Sequence, residues 1–190
     1  KDGTIKKKSR QKLSSNNIVE HFTKHGKSKS GATAILISRD AAMEEGAACE
    51  PIEGPRLRTL LADGVVSGTL QLFTDPKSES GITANHEIVT SWTPNVFYIE
   101  KRTNSNNLFS EKVPLADRTA VTETSRFVRV APLVSSRTTS QLEMVCQTIA
   151  QHIEGIHGCR LAHLGLHTKI DDKDNVWILY CSSIRIAKAD

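Results

Sequence analysis

Arg160-Leu-Ala-His-Leu-Gly-Leu-His-Thr-Lys-Ile170, then Asp171-Asp-Lys-Asp-Asn175, then Val176-Trp-Ile-Leu-Tyr-Cys-Ser-Ser-Ile-Arg-Ile186 is the stretch that decides the fold. Two strand-like runs flank a turn of Asp and Asn, which predicts a β-hairpin near the end of the chain. Apolar residues fall on both sides of its strands, so the hairpin is expected at the centre of a covered sheet. On that reading Trp177 is buried, and Trp177→Ala should cost roughly 3–5 kcal/mol.

Immediately upstream, Leu142, Val145, Ile149, Ile153 and Ile156 keep the three-and-four spacing of one helix face. The polar run 135–140 caps this helix, expected over Gln141–Ile156, and Gly158 ends it. Phe127 to Val134 reads as a strand that Pro132 demotes to an edge. Further out, His86–Trp92 and Val96–Arg102 are strands around the turn Thr93-Pro94-Asn95. With Val65–Phe73 before them they suggest an antiparallel meander. Residues 103–121 are polar and irregular and are expected over the surface.

Towards the N-terminus, Pro55 opens a helix through Ala62, closed by Gly64, and residues 46–54 read as a break. Thr33–Ile37 is too short a run for periodicity to separate strand from helix. Ser14, Ser15 and Asn16 offer caps for a short helix over Asn17–Lys24. Together these elements give an α+β fold: a mainly antiparallel sheet with two or three helices packed on it and a C-terminal β-hairpin.

An apolar fraction of 38% supports a buried core, and an aromatic fraction of only 5% leaves that core to Leu, Ile, Val and Ala. The net charge of +4 is concentrated in Lys1, Lys6, Lys7, Lys8, Arg10 and Lys12, with Asp2 the single acid among the first twelve residues. Residues 1–12 therefore read as a flexible basic arm and residues 13–190 as a single α+β domain. Charge outside the arm is close to balanced, which argues against a nucleic-acid face spread over the fold. The opening at Lys1 reads as a segment of a longer polypeptide. No apolar run reaches the roughly 20 residues needed to span a bilayer. Cys49, Cys146, Cys159 and Cys181 are scattered without a CxxC pair, which suggests a reduced, cytoplasmic compartment.

The hairpin is where ATP-grasp and tubulin ligases carry carboxylates for Mg²⁺, an ion that wants hard oxygen ligands. Here Tyr180 and Ser182 stand in those places, and His167 stands for the acid of the first strand. No glycine-rich phosphate loop is present. Mg-ATP binding is therefore not expected, and no cofactor or metal is assigned. His163 and His167 share a strand face about 13 Å apart, too far to chelate one ion, and read as partly exposed strand histidines. His152, His157 and Cys159 match no zinc spacing. Asp171, Asp172, Asp174 and Asn175 lack the glycine and closing Glu of a calcium loop. Phe97 to Arg102 mixes aromatic and basic residues, but Glu100 interrupts it, so an ordinary outer strand is expected. No catalytic residue is assigned.

Several phrases carry a family resemblance: Leu70-Gln-Leu-Phe-Thr-Asp-Pro76, Trp92-Thr-Pro94 with Ile99-Glu-Lys-Arg-Thr-Asn104, Ala116-Asp-Arg-Thr-Ala-Val121, Lys169 to Trp177 and Leu179 to Arg185. Over about residues 65–186 the chain resembles a domain of large, mostly uncharacterised proteins of flagellated eukaryotes. The resemblance implies a structural or scaffolding module in a cytoskeletal or ciliary (flagellar) setting and transfers no active-site residues. The expectation is thus a non-catalytic interaction module of a larger intracellular assembly. Lys6, Lys7, Lys8, Arg10 and Lys12 would contact an acidic partner, either a tubulin tail or nucleic-acid phosphate. Two alternatives stand beside it. One is an enzyme with a site in the polar central loops and His163 or His167 as acid–base. The other is a nucleic-acid-associated protein binding through the arm.

Overall fold

The computed structural model describes residues 14–26, 28–39, 47–64, 67–78, 83–122 and 124–187. It is an α+β structure with two antiparallel sheets. The elements are α1 (Ser15–His25), β1 (Ala34–Arg39), β2 (Ala47–Ile52), α2 (Gly54–Asp63), β3 (Thr69–Leu72), β4 (Ala84–Trp92), β5 (Phe97–Asn107), α3 (Leu115–Thr119), β6 (Val128–Pro132), α4 (Ser136–His157), β7 (Leu161–Ile170) and β8 (Val176–Ile186). The small sheet has the order β2-β1-β3 and the large one β6-β5-β4-β7-β8.

Each sheet carries helices on its outer face. In β1, alternation sends Ala34 and Leu36 towards α1 and α2, where they pack with Ile52, Leu57 and Leu60. Ile35 and Ile37 point the other way, towards the large sheet. In the large sheet Trp92, Leu161, Leu164 and Leu166 pack on Cys146 and Ala150 of α4, and Ile88 and Ile170 pack on its Leu142. The layers run helix pair, small sheet, large sheet, long helix, and the inner faces of the two sheets meet around a cavity.

The helix ends follow local chemistry. Ser14 and Ser135 cap α1 and α4 through their hydroxyls, which accept from Asn17 N and Thr138 N. Helix α2 has proline in its first turn and closes on Gly64 at φ 67°, while α4 closes on Gly158 at φ 63°. In the hairpin turn, Asp171 accepts from the backbone N–H groups of Lys173 and Asn175, from Asn175 Nδ2 and from Trp177 Nε1, all at 2.8–2.9 Å. Burial alone would raise this carboxyl, but the four donors outweigh it and hold it at about 2.

Several expectations change. The hairpin is not central: β7 is interior, but β8 is an edge strand, and Trp177 is 46% exposed. The sheet has no strand beyond β8 among the described residues to cover Trp177, so its loss should cost far less than a buried ring would. Strand β3 is not part of a meander with β4, since it pairs with β1 in the small sheet. The expected break at 46–54 contains β2, which pairs with β1 from Ala34↔Ile52 to Arg39↔Ala47 despite Pro51. As an edge strand it tolerates a missing donor. The expected surface stretch 103–121 instead continues β5 to Asn107 and folds into α3, with Arg118 and Thr119 buried. Polar composition misled there because Arg118 serves as a backbone clamp, donating to the carbonyls of Ser110 at 2.6 Å, Val113 at 3.1 Å and Ser30 at 2.7 Å. Ile156 of α4 is exposed rather than on the packed face. Residues 1–12, including Lys6, Lys7, Lys8, Arg10 and Lys12, lie outside the described residues, as do the first residues of the strand expected from Val65.

Candidate functional site

The inner face of the large sheet is polar where its outer face is apolar. Glu87 of β4 lies opposite Arg102 of β5 in register. The Glu87 carboxylate is 3.6 Å from the Arg102 guanidinium and 3.3 Å from His167 Nδ1, and Arg102 also holds Glu100 at 2.7 Å. His167 is 6% exposed, not partly exposed as its sequence context suggested, and its ring stacks on Tyr180 with centroids 4.1 Å apart. The approach of Nδ1 to Glu87 is close but poorly aligned, so that nitrogen makes no well-directed hydrogen bond.

Two residues further along β7, on the same face, Lys169 is buried to 1% exposure. Its Nζ donates to Asn85 Oδ1 at 2.8 Å and to the Thr74 carbonyl at 3.1 Å, and lies 4.5 Å from the centre of the Phe73 ring. Asn85 in turn donates to the carbonyl of Thr119 at 2.5 Å, which fixes its amide orientation and locks α3 to the sheet. Asn104 does the same from β5, donating to the carbonyls of Asp117 and Ala120 at 2.7 and 2.8 Å.

These groups floor a cavity of about 230 Å³ between the sheets. Ile35, Ile37, Phe73, Val121 and Leu179 form its apolar walls, and Cys49, Asn85, Glu87, Lys169 and Tyr180 its polar lining. Burial shifts every titratable group that it dominates towards the neutral form. Desolvation, reinforced by Glu87, pushes the Cys49 thiol to about 11. The same two causes raise the Tyr180 phenol well above its ordinary range. Desolvation lowers the Lys169 ammonium to about 8, against the opposing pull of Glu87, Asp75 and Cys49. At neutral pH the thiol and phenol are therefore protonated and weakly nucleophilic, and Lys169 is a buried cation.

The other sequence candidates do not join this cluster. His163 is half-buried, with Nε2 2.9 Å from Ser91 Oγ and Nδ1 2.9 Å from Ser183 Oγ. His152 and His157 are exposed on α4. Among the described residues no group of three His, Cys, Asp or Glu is placed to hold a metal ion, and no helix is long and apolar enough to cross a membrane. Lys169, Glu87 and Arg102 were missed as site residues. Counting outward from a 93–95 turn would set Glu87 opposite Lys101; the connection spans 93–96, with Trp92 opposite Phe97, and this moves Glu87 onto Arg102. The opposing wall comes from β2, which the sequence concealed.

A second feature lies on the outer face. Helix α4 covers β4 and β7 but leaves β8 open. Val176, Ile178, Cys181, Ile184 and Ile186 are the register partners of Ile170, Thr168, Leu166, Leu164 and Leu161, so they share the helix side of the sheet. Ile178, Ile184 and Ile186 are 48%, 50% and 60% exposed.

No protein-family model matches the sequence, and no curated protein matches it. Among solved structures the chain is similar to the macrocyclase MdnC from Microcystis aeruginosa MRC, bound with precursor peptide MdnA, at 12% identity and a TM-score of 0.46. That likeness covers 95% of this chain and 46% of the macrocyclase chain, so this chain spans about half the length of the protein it matches.

Proposed function

We propose that this chain is a non-catalytic interaction module of a larger assembly, of the cytoskeletal or ciliary kind that its sequence resemblance implies. The observation that carries this reading is the uncovered apolar row on β8. Ile178, Ile184 and Ile186 stand exposed beside α4 on an edge strand, in the position where a second helix would complete the outer layer of the sheet. Large exposed apolar residues in a contiguous row are characteristic of a surface that a partner covers. An amphipathic partner helix lying beside α4 would bury that row, and the edge of β8 offers backbone groups as a further anchor. The basic arm would add charge attraction to an acidic partner such as a tubulin tail or nucleic-acid phosphate, with affinity that weakens with salt.

The protonated states of Cys49 and Tyr180 favour binding over nucleophilic catalysis in the cavity. The test is crosslinking from β8. A photoreactive group placed at Ile184 should capture a neighbouring protein of the native assembly, and one placed at Arg56 on the exposed side of α2 should not. Equal capture from both sites, or none from Ile184, would remove the basis for a β8 interface.

A further inference from the structure

Lys169 is a buried cation whose immediate partners are all neutral. An amide oxygen, a backbone carbonyl and an aromatic ring surround its ammonium. Glu87 is turned towards Arg102 and His167, and no carboxylate of the described residues reaches ion-pair distance of Nζ. Buried charges are ordinarily paired with an opposite charge, because dipoles alone replace water poorly. Here the ammonium borders a cavity of about 230 Å³ rather than solid protein. The rim of that cavity includes Glu50 and Ala116, both exposed, so it communicates with solvent.

We propose that the cavity between the sheets is a binding site for a compact hydrophobic carboxylate, whose anionic head pairs with Lys169 and whose hydrocarbon body lies against Ile35, Ile37, Val121 and Leu179. A single ammonium matches a monoanion. The Tyr180 hydroxyl, hydrogen-bonded to Cys49 on the same floor and held protonated, can turn from the weakly accepting thiol to donate to the second carboxylate oxygen. The charge of Glu87 is opposed by Arg102, which blunts its repulsion of an incoming anion. Ile35, Ile37, Phe73, Val121 and Leu179 offer a continuous apolar wall, and Glu50, the other carboxylate of the lining, lies at the exposed rim, which suits an aromatic or short aliphatic body. This site is independent of the β8 surface: it lies on the other face of the sheet, and either reading stands if the other fails.

The probe is 1-naphthoate, compared with its neutral isostere 1-naphthamide, in calorimetric titrations of the full chain. At pH 7 the acid should bind at least tenfold more tightly than the amide. Lys169 titrates near 8 under the influence of burial, with Glu87 of β4, Asp75 after β3 and Cys49 of β2 opposing. The ammonium is therefore present below that pH and lost above it. Raising the pH to 9.5 should weaken naphthoate roughly tenfold and leave the amide unchanged. Lys169→Met should abolish the preference for the acid, and Ile37→Trp, which fills the apolar end, should abolish binding of both compounds. Should either variant fail to fold, the wild-type comparison of acid with amide at the two pH values decides alone. No binding of naphthoate, equal affinity for acid and amide, or affinity that ignores pH would overturn the proposal.

Discussion

The two faces of the large sheet are built from the same strands and do opposite things. On the outer face, Ile88, Trp92, Leu161, Leu164 and Leu166 pack against Leu142, Cys146 and Ala150 of α4. On the inner face, alternate positions of those strands carry Glu87, Arg102, His167 and Lys169. Hydrophobic burial stabilises at about 25 cal/mol per Å² of apolar surface removed from water. Buried charge does not, because desolvation offsets much of the attraction. The outer face thus holds the fold together, while the inner face imposes an energetic cost that a binding function would explain.

The largest expected effect lies on the outer face. Leu164 is fully buried. Leu164→Ala should cost about 3–4 kcal/mol in urea unfolding, as for leucines in cores that cannot collapse around the cavity. A loss under about 1 kcal/mol would mean that α4 does not pack as described. On the inner face, Glu87→Ala leaves His167 and one side of Arg102 without their carboxylate. Removing one partner of a buried pair costs about 3–5 kcal/mol, but Arg102 keeps Glu100, so about 2–3 kcal/mol is expected here.

At the hairpin turn, Asp171→Ala removes the acceptor of four hydrogen bonds and should cost about 2 kcal/mol. Its carboxyl is held at about 2, below the roughly 3.9 of an unfolded chain. The stabilisation is therefore complete above about pH 5 and is lost as pH falls from about 4 through about 2. In Asp171→Ala that part of the acid limb should disappear from a plot of unfolding free energy against pH. The smallest effect belongs to the open row. Ile184→Lys on β8 should change stability by less than about 0.5 kcal/mol, as exposed substitutions usually do. It should still weaken capture by the partner. A loss above about 1.5 kcal/mol would mean that Ile184 is part of the core.

The outer face was legible in the sequence and the inner one was not. The three-and-four spacing from Leu142 to Ile153 and the hairpin around Asp171 are local patterns, and α4, β7 and β8 follow from them. The turn at 93–95 likewise gives β4 and β5, but not their register: the connection runs one residue longer, which is what sets Glu87 opposite Arg102. What stayed hidden depends on contacts between distant segments. Strand β2 holds Cys49, Glu50 and Pro51, with no alternation to mark it, and becomes a strand only by pairing with β1. Without β2 and the pairing of β1 with β3 there is no small sheet, and without that sheet Lys169 reads as a solvated strand lysine rather than the floor of a cavity. Trp177 misled in the opposite direction: its ring suggested burial, whereas an edge strand and a hydrogen bond to Asp171 hold it half-exposed.

The division of labour between the faces is tested most directly by Lys169→Met in equilibrium urea unfolding beside the unchanged chain. Methionine keeps most of the side-chain length, removes the desolvated charge and leaves only the Asn85 carbonyl oxygen and the Thr74 carbonyl without a donor. If the inner face is kept for binding rather than for stability, the unfolding free energy should rise or stay within about 1 kcal/mol of the original. A loss of more than about 2 kcal/mol would show that Lys169 holds the two sheets together and would contradict the account.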